Sequence, residues 1–319
     1  MEQRDLELLD LLEKEGPSTI STLAYKLGIA KSSVSRKVRL LKDMGLVEMK
    51  RIGGITLVYR IAGKQPPGTI RIGLLRASEY PYVIDFARRL RDRYSRVELI
   101  VYDEAFRLGI DLASNKVQLA FAPVPTLLLA HRISAGRTSI IGGGSGGGAH
   151  VIEGREGFGH ATTMASSMEL CAEMMRLEGP RIYKRSGKEI LDAVKRGETR
   201  QGVVWEPYGY LARKEGLRAE ACDLPLCCLL GAHEGVEGLD HIARALSESI
   251  SASRRSSDFR SYAALVGLEE SVIRETTSSY VFYEEVPLEV LKRLWPHVKS
   301  SLLPEDAINR AVRSSPTSG

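Results

Sequence analysis

Apolar positions set the first divisions of the chain. Leu6, Leu8, Leu9, Leu11 and Leu12 recur at helical spacing until Gly16-Pro17 interrupts them. A second helix opens at Ser18 or Thr19, carries Leu23, Ala24 and Leu27, and meets Gly28. A third is predicted over about 31–44, with Val34, Val38 and Leu41 on one face and Gly45 placed to end it. The period then shortens to two. Residues 46–52 and 55–61 read as strands, and Gly53-Gly54 suits the two-residue turn of a hairpin.

Beyond a short Pro- and Gly-containing segment at 62–68, strands alternate with helices. Strands are predicted at 69–75, 97–102 and 117–122, and helices at 82–93 and 104–114. This βαβαβ order implies a mostly parallel sheet covered by helices. A second such unit follows, with strands near 158–161, 203–205 and 225–230 and helices opening near Ser166, Ser186 and Tyr208; from Gly238 on the pattern is helical. No apolar run reaches 18 residues, so no membrane span is expected. The N-terminus is charged and amphipathic without an apolar h-region, which points to a cytoplasmic protein.

Charge changes the picture locally. Between Lys26 and Arg60 nine basic residues face only Asp43 and Glu48, although the net charge of all 319 residues is +5. A local excess of this kind is the footprint of a polyanion site. Ser32, Arg36 and Arg39 fall opposite the apolar face of the third helix, Lys31, Ser33 and Lys37 flank them, and Lys50 and Arg51 adjoin the hairpin turn. The stretch GPSTISTLAYKLGIAKSSVSRKVRLLKDMGLVEMK resembles a winged helix-turn-helix domain of the MarR/IclR-like kind. The resemblance implies that residues 31–39 enter a major groove of double-stranded DNA and that the hairpin touches phosphate or the minor groove. Arg36 and Arg39 suit either base reading or phosphate clamping. Ala30 stands where such domains often place a capping Ser or Thr; the helix either starts loosely or relies on Ser32. Use of the domain for protein contacts alone is the competing reading.

The run IIGGGSGGGAHVI at 140–152 satisfies G-x-G-x-x-G trivially. It lacks the GK[ST] of a phosphate loop, and AHVIEG after it is strand-like, whereas a dinucleotide fingerprint needs a helix there. The segments TIRIGLLRASEYPY, VQLAFAPVPT, IIGGGSGGGAHVIEG, HATTMASSMELCAEM and SGKEILDAVKRGETRQGVVWEPYGYLARKEG resemble, in that order, a type 2 periplasmic-binding-protein domain of the group that binds sulfonates, nitrate or thiamine precursors. The implied fold class is α/β, an N-terminal winged helix-turn-helix plus a two-lobed ligand-binding domain. The divisions expected are a DNA-binding domain at 1–61, a linker at 62–68 and a ligand-binding domain at 69–319. Lobe I would take 69–137 and 233–319, lobe II 153–225, with crossovers at 138–152 and 226–232. The resemblance places Ser78, Glu79, Tyr80, Ser145, Gly146, Thr162, Thr163, Ser166, Trp205, Glu206 and Tyr208 in the cleft. His150 and His160 are further candidates, each also readable as a structural histidine. The glycines are expected to bend the chain at the hinge and to approach a ligand closely.

Cys171, Cys222, Cys227 and Cys228 lack C-x-x-C spacing. They read as buried thiols of a reducing compartment, with Cys227 and Cys228 alternating across a strand, and give no support to a zinc site. No cofactor is implied. The reading is a ligand-responsive DNA-binding transcription regulator, not an enzyme, that binds a small anionic effector and acts as a homodimer. The joining of modules is that of LysR-type regulators, without their long linker helix. The alternative is an enzyme for a small metabolite on the same two-lobed fold, and a third is a non-DNA interaction module carrying a sensor.

Overall fold

In the computed structural model, residues 3–52, 54–61, 68–298 and 310–312 are described. The chain divides into two compact units, Met1–Thr69 and Ile70–Gly319. Of the expected linker, residues 62–67 lie outside the described residues.

The first unit follows the apolar pattern. Helices α1 (Gln3–Glu15), α2 (Ile20–Leu27) and α3 (Lys31–Asp43) precede a hairpin of β1 (Val47–Ile52) and β2 (Ile55–Arg60). Leu8, Leu9, Leu12, Leu23, Val34, Val38, Leu41, Leu46 and Val58 form its core; each such side chain removed from water contributes about 1.5–3 kcal/mol. Thr19 caps α2 by accepting from the Thr22 amide at 3.1 Å. Gly28 leaves α2 at φ +63, a conformation glycine adopts without strain. Ile52 pairs with Ile55, and Gly54 takes φ +83. Ser18 and Val58 exchange backbone hydrogen bonds of 3.1 and 2.9 Å, joining the entry to α2 to the hairpin.

The second unit is mixed α/β, with two sheets. One holds six strands in the order β13-β6-β12-β5-β3-β4: β3 (Thr69–Leu75), β4 (Arg96–Tyr102), β5 (Leu119–Pro123), β6 (Thr138–Gly147), β12 (Cys228–His233) and β13 (Tyr280–Tyr283). The other has the order β11-β7-β10-β8-β9: β7 (Ala149–Glu153), β8 (His160–Thr162), β9 (Arg181–Tyr183), β10 (Gln201–Trp205) and β11 (Arg218–Cys222). The helices are α4 (Val83–Arg89), α5 (Ala105–Ala113), α6 (Val124–Ile133), α7 (Ser167–Met174), α8 (Gly187–Lys195), α9 (Tyr208–Lys214), α10 (Leu239–Ser253), α11 (Phe259–Val266), α12 (Glu270–Thr277) and α13 (Leu288–Val298). Each sheet with its helices forms one lobe.

The sheets are less parallel than the element order suggests. β3 and β5 run parallel, as do β8 with β9 and β10. β12 is antiparallel to both β5 and β6, β13 is antiparallel to β6, and β7 is antiparallel to β10 and β11. The cause is the chain's return from the other lobe. β12 starts at Cys228, opposite Pro123 where β5 ends, so the two strands meet with reversed sense.

Several elements differ from the sequence expectation: β9 falls where no strand was expected, and β12 lies three residues beyond the expected 225–230. Pro123-Val-Pro125 reads as a strand end but opens α6, where proline costs nothing because a first-turn amide has no intrahelical acceptor. β11 (RAEAC) is a largely exposed edge strand with no apolar alternation to betray it. β13 has four residues, too few for a period, and is embedded in a helical stretch.

The chain passes between lobes twice, at Gly147–Gly148 and through residues 223–227. Gly147 and Gly148 have φ of +81 and +70. The rest of the glycine run is explained by packing rather than by a ligand. A Cβ on Gly143 would overlap the Tyr283 carbonyl oxygen of β13, one on Gly144 the Cys228 carbonyl oxygen of β12, and one on Gly146 the Pro225 carbonyl oxygen. The expectation that these glycines approach a ligand is therefore corrected: what they approach is neighbouring backbone.

Candidate functional site

The outer face of α3 is the first candidate. Val34, Val38 and Leu41 are buried, so the 3.6-residue period turns Lys31, Ser32, Arg36 and Arg39 into solvent, with Ser33 half-buried at the margin. Ala30 precedes the helix with no side-chain cap; its carbonyl accepts from the Ser33 and Val34 amides at 2.9 and 3.1 Å. Lys37 departs from the expected set. Its Nζ lies 2.9 Å from Asp5 Oδ1, and the Asp5 side chain is 1% exposed, so Lys37 neutralises a buried carboxylate of α1. At the hairpin, Lys50 and Arg51 are exposed. Lys50 pairs with Glu48 at 2.7 Å and lies 5.4 Å from the centre of the Tyr59 ring; the Glu48 contact holds its ammonium above the ordinary range. The hairpin tip also exposes Ile52 and Ile55.

The second candidate lies between the lobes. A narrow, nearly closed cavity of about 20 Å³ is lined by Leu75, Glu79, Ala105, Pro123, Thr163, Ser166, Ser167, Met168, Trp205, Cys227 and Cys228. Direct hydrogen bonds join the lobes around it. Trp205 Nε1 donates to the Arg76 carbonyl at 2.8 Å, the Ser78 amide to the Glu206 carbonyl at 3.1 Å, and Thr126 Oγ1 to the Ala165 carbonyl at 2.6 Å. Ser167 Oγ donates to the Cys227 carbonyl at 3.1 Å, and Tyr280 OH to the Glu206 carbonyl at 3.2 Å. Admission of a molecule thus requires some of these bonds to part.

Four of the expected cleft residues line this cavity: Glu79, Thr163, Ser166 and Trp205. Ser145 stands just behind them and donates its hydroxyl hydrogen to Glu79 Oε1. Burial pushes the Glu79 carboxyl up, against the pull of the hydrogen bonds from Ser145 and the neighbouring thiols. Thr163 Oγ1 donates to Ser166 Oγ at 2.7 Å, and Ser166 Oγ caps α7 by accepting from the Met168 and Glu169 amides.

The other expected residues do structural work nearby. Ser78 Oγ accepts from Thr276 Oγ1 at 2.6 Å. Tyr80 packs on Tyr82 and Phe121 in the lobe core. Gly146 sits against Pro225, and Thr162 is buried at the end of β8. Tyr208 backs Trp205 edge-on, with ring centres 5.4 Å apart. Glu206 is engaged by its own lobe: Arg213 donates to Oε1 and the Tyr210 amide to Oε2, both at 2.7 Å. His150 Nε2 lies 3.6 Å from the same Oε1; burial lowers its pKa more than Glu206 raises it. His160 is buried beside the Glu178 carbonyl.

The cysteines overturn two expectations. Cys171 of α7 and Cys222 of β11 are joined by a disulfide, Cα to Cα 6.3 Å, where four thiols had been expected. They are 51 positions apart in sequence, and only the fold brings α7 and the edge strand together. Cys227 and Cys228 do not alternate. Cys227 precedes β12 rather than belonging to it, its amide donating to the Ser145 carbonyl at 2.8 Å, and both Sγ atoms turn into the cavity 3.1 Å apart. Adjacent cysteines two and three residues after Pro225 were the one signal in the sequence that could have exposed this pair.

Comparison with known proteins divides at the same boundary. Residues 1–61 match the family described as HVO_A0114. A comparison with curated proteins gives no match. Among solved structures, the alkanesulfonate-binding protein SsuA from Xanthomonas axonopodis pv. citri bound to MOPS is similar at 15% identity and TM-score 0.60, over 78% of this chain and 99% of that one. The periplasmic aliphatic sulphonate binding protein SsuA from Escherichia coli is similar at 13% identity and TM-score 0.59, over 78% of this chain and 93% of that one. A ligand-binding component of an ABC-type import system from Staphylococcus aureus, with zinc bound, is similar at 14% identity and TM-score 0.59, over 77% and 99%. These likenesses establish the fold of the second unit. Among the described residues, no helix is long and apolar enough to cross a membrane.

Proposed function

We propose that the chain is a ligand-responsive DNA-binding transcription regulator. The observation that carries this reading is the solvent-facing side of α3, where Lys31, Ser32, Arg36 and Arg39 stand opposite a buried apolar stripe. Arginines free of the core and hydroxyls beside them suit phosphate and base-edge contacts in a major groove. The exposed Lys50 and Arg51 at the hairpin suit the flanking backbone. A homodimer accords with helix-turn-helix proteins reading two half-sites.

The effector in this reading is a small anionic metabolite held between the lobes. The hydroxyls of Thr163, Ser166 and Ser167 gather at the N-terminus of α7, where helix and side chains favour an anion. Two of the similar structures are described as sulfonate-binding proteins, which agrees with such a ligand. The effector acts only through different affinity for open and closed lobes.

The test is native mass spectrometry of purified protein, followed by DNA binding with and without the molecule released from it. A retained small anion that changes DNA affinity several-fold supports the reading. A retained molecule that leaves DNA affinity unchanged removes the regulatory part; a chain that turns the molecule over favours an enzyme.

A further inference from the structure

The cavity has an unusual polar composition. Its carboxyl and two thiols, Glu79, Cys227 and Cys228, are 2%, 4% and 1% exposed, and one donor atom from each falls within 4.8 Å of the others. No Lys, Arg or His is among the residues lining it. An anion entering this space would meet hydroxyls and a carboxyl but no basic side chain.

We propose that Glu79, Cys227 and Cys228 hold a thiophilic divalent cation of the zinc class in the interlobe cavity. This rests on the reading of that cavity as the ligand site. Two sulfurs and one carboxylate oxygen are donors suited to such an ion, and three protein ligands leave a fourth tetrahedral position for an exogenous group. Spacing in sequence argued against zinc only for C-x-x-C pairs; here the donors come from the loop after β3 and from the entry to β12. The geometry is near what the ion needs. The sulfurs are 3.1 Å apart, and a tetrahedral ion with bonds of about 2.3 Å sets them about 3.8 Å apart. That adjustment is within reach of side-chain rotation while the Cys227 backbone stays tied to Ser145 and Val124. Ser145, which donates to Glu79 Oε1, would help to fix the carboxylate. As each Sγ–metal bond forms, its thiol proton passes to solvent.

Two thiolates and a carboxylate outweigh the ion's two positive charges, so what the cation would bring to the cavity is an open Lewis-acid position rather than net positive charge. Thr163, Ser166 and Ser167 of the second lobe line the same cavity, so an anionic effector taking the fourth position could bridge metal and hydroxyls and draw the lobes together.

The experiment is anaerobic titration of the full chain, with Cys171–Cys222 intact, using Co²⁺ as probe and Zn²⁺ as competitor. The expected result is one Co²⁺ per chain, a thiolate-to-cobalt charge-transfer band in the near ultraviolet, and loss of that band on adding Zn²⁺. Cys228→Ser should cut the band to about half or less, and Glu79→Gln should keep it while weakening affinity about tenfold or more. Absence of a thiolate band in folded wild type, or a band unchanged in Cys228→Ser, overturns the proposal. Should Cys228→Ser not fold, alkylation of the wild type decides: Zn²⁺ must protect Cys227 and Cys228, and equal labelling with and without it overturns the proposal. DNA plays no part in these readouts. A chain that takes metal but ignores DNA defeats the regulator reading alone, and one that binds DNA but takes no metal defeats this inference alone.

Discussion

The α3 face and the interlobe cavity use polar residues in opposite ways. On α3, Arg36 and Arg39 stand in water and Val34, Val38 and Leu41 carry the packing, so recognition and stability sit on separate sides of one helix. In the cavity, Glu79, Ser166, Cys227 and Cys228 are buried, and the groups that would recognise a ligand also hold the lobes together. The difference predicts that recognition can be removed from α3 without harm to the fold, whereas changes around the cavity disturb structure and binding together.

The largest expected effect is on the cavity side. Gly143→Val drives a branched side chain into the Tyr283 carbonyl between β6 and β13. Overpacking against backbone, which cannot rotate away, should cost about 4 kcal/mol or more. Hydrogen exchange should accelerate throughout 70–298 while 3–61 keeps its protection. Unchanged exchange in β6, β12 and β13 would show that the glycine run is not set by packing.

The next effect separates two neighbours on α3. Lys37→Met removes the ammonium partner of buried Asp5. It should destabilise the first unit by about 2–3 kcal/mol, below the fully buried range because Lys37 keeps an edge to water. Arg36→Ala, one position away, should leave stability within about 0.5 kcal/mol. Denaturant midpoints of the two variants check the contrast; equal losses would mean that Arg36 belongs to the core.

The smallest effect is a pH dependence of the second unit. Burial holds His150, His160 and His233 below the ordinary 6.5. The unfolded chain therefore takes up protons that the folded chain refuses as pH falls through 6.5. Stability should be full above that pH and decline below it, toward the lowered folded values. Denaturation midpoints at about pH 7.5 and about pH 5.5 give the slope, which His160→Gln should make shallower. A slope of the opposite sign would place these histidines in contact with a charge that stabilises their protonated form.

The same contrast explains what could be read from the chain. The α3 face was legible because a helical period sorts side chains into inside and outside without tertiary information, and the two-residue hairpin turn was legible from Gly53-Gly54. Lys37 was misplaced because its partner Asp5 is 32 positions away. The cavity was half legible. Glu79, Thr163, Ser166 and Trp205 fall at strand ends and a helix start, where an α/β fold gathers ligands. Cys227 and Cys228 were not, since the strand expected from residue 225 begins only at Cys228 and leaves Cys227 outside it, where no alternation applies. Glu206 was assigned to the cleft by the resemblance, but Arg213, two turns along α9, claims its carboxylate. The disulfide depends on α7 lying beside β11, a pairing of distant segments to which local periodicity is blind.

The central claim, that the α3 face binds DNA, is tested most directly by the salt dependence of duplex binding for wild type and Arg36→Ala/Arg39→Ala. Neutralising phosphates releases counterions, so log affinity of the wild type should fall linearly with log salt. The double variant should bind about tenfold or more weakly, with a slope shallower by about two if both arginines meet phosphate and a smaller change if they read bases. A wild type whose duplex binding ignores salt, or a folded double variant that binds as tightly with the same slope, would contradict the account.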